Sequence, residues 1–153
     1  MQKLHKEIFI NAPREKVWDI MLGEETYKEW TKAFSPTPNT TSHFEGNWEE
    51  GSKMLFIGEN QDGGTEGMVS RIKENRKPEF LSIEHIGIYK DGVEDTESET
   101  AKKWAPAYEN YTFIEKDGGT ELHIDMDVDE QYQEMFEKMW LAALESLKEL
   151  SER

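Results

Sequence analysis

From Tyr132 to Leu150 the apolar positions recur in steps of three and four: Tyr132, Met135, Phe136, Met139, Trp140, Ala143, Leu144, Leu147 and Leu150. That spacing puts all of them on one face of a helix. Glu134, Glu137, Lys138, Glu145, Lys148 and Glu149 make the opposite, solvated face. Asp129 stands where it can cap the start, which predicts a helix of about 20 residues and about 30 Å. The first half of the stripe is rich in Met and aromatics, the second in Ala and Leu. Leu and Ala close-pack, whereas Met, Phe and Trp adapt around a guest. The stripe therefore predicts a sealed core at one end and a pocket at the other, against the plainer alternative of ordinary core throughout.

Upstream, the hydrophobic period falls to two. Leu4 to Ile10 alternates and predicts a first strand. Asn11-Ala12-Pro13 ends it, and Pro13 suits the first position of a short helix whose inner face is Val17, Trp18, Met21 and Leu22 and which Gly23 closes. Thr26 to Trp30 predicts a second short helix, with Tyr27 and Trp30 at i, i+3. Ser35 to Thr41 reads as a loop. Strands are predicted over Ser42–Glu49, Lys53–Glu59, Thr65–Asn75, Glu79–Lys90, Trp104–Lys116 and Thr120–Val128. Turn signals such as Asp62-Gly63-Gly64 and Asp117-Gly118-Gly119 separate them. Asp91 to Glu99 is acidic, with Val93 its one bulky apolar side chain, and predicts a solvated hairpin loop. Sequential strands with short turns form an antiparallel sheet. A long amphipathic helix must bury its stripe on that sheet. The expected class is α+β: a curved antiparallel sheet around a C-terminal helix, with two short helices after the first strand. Neither a repeat nor a linker interrupts the chain, so residues 1–153 are expected to form a single domain.

Charge narrows the function. Thirty-three acidic residues against 18 basic give a formal charge of −15. That field repels phosphate backbones and anionic membranes, so neither nucleic-acid binding nor membrane insertion is expected. The chain has no Cys, hence no disulfide, no thiolate metal site and no Cys nucleophile. Without a basic-then-apolar leader, or an apolar run near the length of a membrane span, a cytoplasmic location is expected.

Several strings resemble the helix-grip superfamily of the birch pollen allergen and the steroidogenic lipid-transfer domains. They are Ile8-Phe9-Ile10-Asn11-Ala12-Pro13-Arg14-Glu15-Lys16-Val17-Trp18, Tyr27-Lys28-Glu29-Trp30, Trp48-Glu49-Glu50-Gly51-Ser52-Lys53-Met54-Leu55-Phe56 and Gly67-Met68-Val69-Ser70-Arg71-Ile72. The branch most resembled is the bacterial polyketide-cyclase-like group, which includes homologues of the heat-shock chaperone ATPase activator. The resemblance implies the helix-grip fold. Members bind lipids, hormones or polyketides, hydroxylate, cyclise, or act on chaperones, so it implies no single activity. No segment matches a catalytic signature.

Alternation then selects candidate site residues. Met54 and Phe56 should point inward together, as should Met68, Ser70 and Ile72. Leu122, Ile124, Met126 and Val128 should face the helix. On the preceding strands Leu81, Ile83 and His85 are the inward set, and the choice lies between Ala107, Glu109, Tyr111, Phe113 and Tyr108, Asn110, Thr112, Ile114, of which the pattern of the resembled family favours the first. A hairpin centred near Glu97 would set His85 opposite Glu109, as an acid–base couple, a ligand-orienting pair or an internal salt link. Glu84 is expected on the outer face in solvent. His123, Asp125 and Asp127 form an outward row read as ordinary surface rather than a metal site, and His5 and His43 stand alone. Trp30, Trp48, Trp104 and Trp140 suit a hydrophobic pocket. The expected function is binding of a small hydrophobic molecule, with no metal or cofactor, by Trp30, Met54, Phe56, Met68, Ile83, His85, Glu109, Tyr111, Met139 and Trp140. The alternatives are a protein-partner module acting through its acidic surface, and a cyclase or dehydratase using His85 and Glu109.

Overall fold

The computed structural model describes residues 2–34, 42–60 and 62–153. The loop expected over Ser35 to Thr41 lies outside the described residues. The described chain runs β1 (Gln2–Ile10), α1 (Arg14–Leu22), α2 (Glu24–Trp30), β2 (Ser42–Glu45), β3 (Lys53–Glu59), β4 (Thr65–Arg76), β5 (Phe80–Lys90), β6 (Val93–Asp95), α3 (Glu99–Trp104), β7 (Ala107–Lys116), β8 (Gly119–Val128) and α4 (Gln133–Glu152). All pairings are antiparallel, in the order β1-β8-β7-β5-β4-β3-β2, with β6 beside the end of β5. The sheet and the 20-residue terminal helix form the expected α+β helix-grip architecture.

Local differences have local causes. Pro13 is the N-cap of α1 rather than its first helical residue, and Gly23 is shared as C-cap of α1 and N-cap of α2. The strand expected to reach Glu49 stops at Glu45, because Gly46 takes φ +132° and Trp48 φ +65°, which no strand tolerates. The acidic segment after β5 is not a plain loop. Val93–Asp95 pairs back onto Ile88–Lys90, and Ser98 caps α3 by accepting from Ala101 N at 3.1 Å. Trp104 therefore ends a helix instead of starting a strand. Asp129 caps a short 3-10 turn (Glu130–Tyr132) that precedes α4, through Gln131 N at 3.0 Å.

One apolar cluster joins Leu4 and Ile10 of β1, Val17, Trp18 and Met21 of α1, Leu122 and Ile124 of β8, and Trp140, Ala143, Leu144 and Leu147 of α4. The helix lies over β1, α1 and α2 and reaches β8 where Trp140 Nε1 meets Met126 Sδ at 3.0 Å. Its C-terminal half is sealed. Its first turns are not: Tyr132 and Met135 are 45% and 44% exposed, and Phe136 and Met139 are half-buried. The expected burial of Met135 is corrected, since α4 begins at Gln133 and its first turns overhang the sheet.

Candidate functional site

Beneath that overhang lies a partly open cavity of about 450 Å³. Its roof is Trp30, Phe34, Phe136 and Trp140; its floor is Phe56 of β3, Met68 of β4, Ile83 of β5, Tyr111 of β7 and Met126 of β8. Tyr27, Trp48 and Trp104 close the sides. The rings pack mostly edge-on or tilted: Tyr27 on Phe44 at 5.1 Å and 89°, Phe34 on Trp140 at 5.0 Å and 73°, Trp30 on Trp140 at 6.0 Å and 35°. The mixture of strand and helix aromatics leaves a volume in the range that holds drug-sized molecules, about 300–1,000 Å³.

Two sequence-selected residues lie elsewhere. Met54 points inward and is fully buried, but one step further along β3. Its sulfur packs under Gly46, so closely that a Cβ there would meet Sδ at 2.3 Å. Met139 sits roughly 100° around α4 from Trp140, off the cavity face that Phe136 and Trp140 share one turn apart. The other eight, Trp30, Phe56, Met68, Ile83, His85, Glu109, Tyr111 and Trp140, all line the cavity. Trp48 and Trp104 join them, as does Tyr27, whose i, i+3 spacing to Trp30 was the visible signal.

The polar end of the cavity is a chain of hydrogen bonds. Ser70 Oγ lies 2.7 Å from His85 Nδ1, His85 Nε2 lies 3.1 Å from Glu109 Oε1, and Tyr111 Oη donates to Glu109 Oε2. Both ring nitrogens are therefore occupied, Nδ1 by the Ser70 hydroxyl and Nε2 by the Glu109 carboxylate. The imidazole also stacks on Trp104, with centroids 5.7 Å apart and planes at 24°. The register corrects the simple hairpin: His85 pairs with Ala107 and Ile83 with Glu109. The pair therefore meets diagonally, two residues apart on the same face. An irregularity between β4 and β5 at Val69/Ser70 brings Ser70 opposite His85. Ser70 is fully buried and lies outside the cavity lining, so it orients the ring and is no nucleophile. Burial, then the nearby Glu109, pushes the Tyr27 hydroxyl above its ordinary range, so it stays a hydrogen-bond donor. Trp48 Nε1 is buried with no acceptor among the described residues.

Outside the cavity, Glu84 lies on the outer face but only 7% exposed, not in solvent. Arg71 Nη2 at 2.8 Å and Tyr108 Oη at 2.8 Å cover it. Nor does His5 stand alone. Its Nδ1 meets Asp125 at 2.6 Å and its Nε2 meets Glu7 at 2.9 Å, while His123 Nδ1 lies 3.3 Å from the same Glu7 oxygen. Cross-strand register makes this group, because His5 faces Asp125 and Glu7 faces His123. His5, Glu7 and His123 hold three ligand-type atoms within 4.8 Å, the one such group among the described residues. Ion pairing accounts for the arrangement. Among the described residues no helix is long and apolar enough to cross a membrane.

Residues 11–152 match the family described as activator of Hsp90 ATPase homolog 1-like protein. A crystal structure of a Chromobacterium violaceum protein superposes with a TM-score of 0.75 at 16% identity, covering 100% of this chain and 99% of that one. The solution structure of an AHSA1-like protein from Aeromonas hydrophila gives 0.70 at 16% identity, over 97% and 90%. CalU16 from Micromonospora echinospora gives 0.61 at 16% identity, over 97% and 75%. At these identities the likeness is one of fold. Among curated proteins, none matches the chain in sequence.

Proposed function

The chain belongs to the activator of Hsp90 ATPase homolog 1-like family, and from that premise we propose that it reversibly binds a small hydrophobic molecule between α4 and the sheet. The observation that carries this reading is the aromatic-walled cavity with the hydrogen-bonded His85–Glu109–Tyr111 chain at one end. Burial of apolar ligand surface supplies about 25 cal/mol per Å² before the costs of association. The Ser70–His85–Glu109–Tyr111 chain supplies orientation. Both nitrogens of His85 are engaged by protein groups, which favours binding over proton transfer to a ligand. The neutral dye N-phenylnaphthylamine tests the reading. It is expected to bind the folded protein with enhanced emission, and Met68→Trp, which fills the floor, is expected to abolish that signal while the fold remains. A dye that ignores the folded wild-type protein removes the reading.

Membership of this family favours a second reading, a module that engages a chaperone through its acidic surface. Addition to an Hsp90 ATPase assay at low and high salt tests it. Stimulation lost at high salt supports an electrostatic contact, and no stimulation at either salt sinks it.

A further inference from the structure

We infer that the cavity selects amphiphiles whose polar end donates hydrogen bonds, a protonated amine or a hydroxyl, and rejects carboxylates. This rests on the ligand-binding reading and names its ligand class. The first observation is the charge of the lining. Glu66, Glu109 and Asp129 line the cavity or its rim, the nearby Asp127 being paired with Lys3, and no described Lys or Arg lines it. Residues 1, 35–41 and 61 contain no Lys or Arg either. A fatty-acid carboxylate entering this site finds no side-chain cation to replace its hydration, and burying an unpaired charge beside like charges is strongly unfavourable.

The second observation is which hydrogen-bonding sites remain open. Glu109 takes one bond from His85 Nε2 and one from Tyr111 Oη. A carboxylate offers about four acceptor sites, so about two remain, on a side chain that lines the cavity. The donors beside it are already engaged: His85 holds Ser70 and Glu109, and the Tyr111 hydroxyl holds Glu109. The polar end therefore presents an acceptor. Tyr27 is the neighbour left over, with a hydroxyl that makes no hydrogen bond among the described residues and lies within the field of Glu109. A ligand hydroxyl can donate to Glu109, and an ammonium can do so with charge assistance.

The experiment is competition against N-phenylnaphthylamine by decylamine, decanol and decanoate, all below their micellar range. Decylamine is expected to displace the dye at a concentration at least about tenfold lower than decanoate, with decanol also ahead of decanoate. Glu109→Gln should bring the amine down to the alcohol, each competitor being referred to the variant's own dye affinity. In half-molar salt the wild-type preference should survive, because the carboxylate is largely buried and poorly screened. Decanoate equal to or ahead of the amine overturns the inference. So does a preference that salt abolishes, or one that Glu109→Gln leaves intact, since the surface charge would then be its source. If Glu109→Gln does not fold, the wild-type series and its salt dependence decide. Failure of the dye itself to bind overturns the binding reading, and is distinct from a dye that binds without head-group preference.

Discussion

A buried carboxylate and a surface imidazole carry opposite pH signatures at the scale of single residues. Arg71, and then Tyr108, hold the Glu84 carboxyl below its ordinary 4.5. A lowered folded value means the pair's contribution is present above that ordinary range and is lost as the pH falls through the folded value. Hydrogen bonds to Glu7 and Asp125 raise His5 above its ordinary 6.5. Its contribution is therefore complete below 6.5 and is lost as the pH climbs through the raised value. Proton NMR titration of the His5 ring should place its midpoint above a free histidine's, and Glu7→Gln should bring it back down. A midpoint unmoved by Glu7→Gln would separate the two residues. Arg71→Ala leaves Glu84 buried with only Tyr108 and is expected to destabilise by about 1–3 kcal/mol in urea unfolding, the half-exposed arginine keeping it below a fully buried pair. A change within experimental error would show that water replaces the guanidinium. Neither network was visible in the sequence, because each depends on which residues face each other across two strands.

Periodicity revealed the elements wherever the chain alternates or repeats cleanly. The span Lys53–Glu59 matches residue for residue, and β4, β5, β8 and α4 differ only at their ends. It failed for α3, whose six residues are too few to show a helical stripe and whose signal was the Ser98 cap. It also failed for Met135, because a stripe says which face is apolar and not how far the supporting sheet extends, and for Met139, because the stripe is broader than the cavity face that Phe136 and Trp140 share. Most of the cavity lining was legible as inward alternation, while Met54 was not, because alternation gives the face but not the depth along a strand. Close approach of strands was equally hidden. A Cβ on Gly67 would stand 1.7 Å from the Phe56 carbonyl oxygen, so β3 and β4 pack there only without a side chain. Gly67→Ala is expected to lower stability by about 2 kcal/mol or more and to shift dye binding, since Phe56 is floor. Wild-type stability in that variant would mean the strands relax freely. At the sealed end, Leu147→Ala removes a fully buried side chain. It should lose about 2–5 kcal/mol while leaving dye affinity unchanged in the folded fraction, because Leu147 is outside the lining.

For the whole molecule, the division of α4 into a sealed half and an overhanging half separates the residues that carry stability from those that line the cavity. The core cluster around Leu144 and Leu147 holds the helix on β1, α1 and α2, and needs no ligand. The overhang around Phe136 and Trp140 leaves an apolar volume that packing alone does not fill, and unfilled apolar lining forfeits dispersion contacts that a guest restores. A ligand that binds only the folded state adds RT ln(1 + [L]/Kd), about 2.7 kcal/mol at a hundred times its Kd. For a chain of 153 residues each kcal/mol moves the melting point by about 2–4 °C, so saturating decylamine should raise Tm by roughly 5–10 °C. The rise should vanish in Met68→Trp, whose added ring fills the floor. It should persist in Leu147→Ala, which lowers the baseline without touching the cavity. Differential scanning calorimetry of the three proteins, each with and without amine, reads all of this at once. Equal shifts in wild type and Met68→Trp would locate the amine on the acidic surface, where a charge of −15 attracts any cation. That surface attraction fades in half-molar salt, whereas stabilisation through a filled cavity does not, so the same scans at high salt separate the two sources.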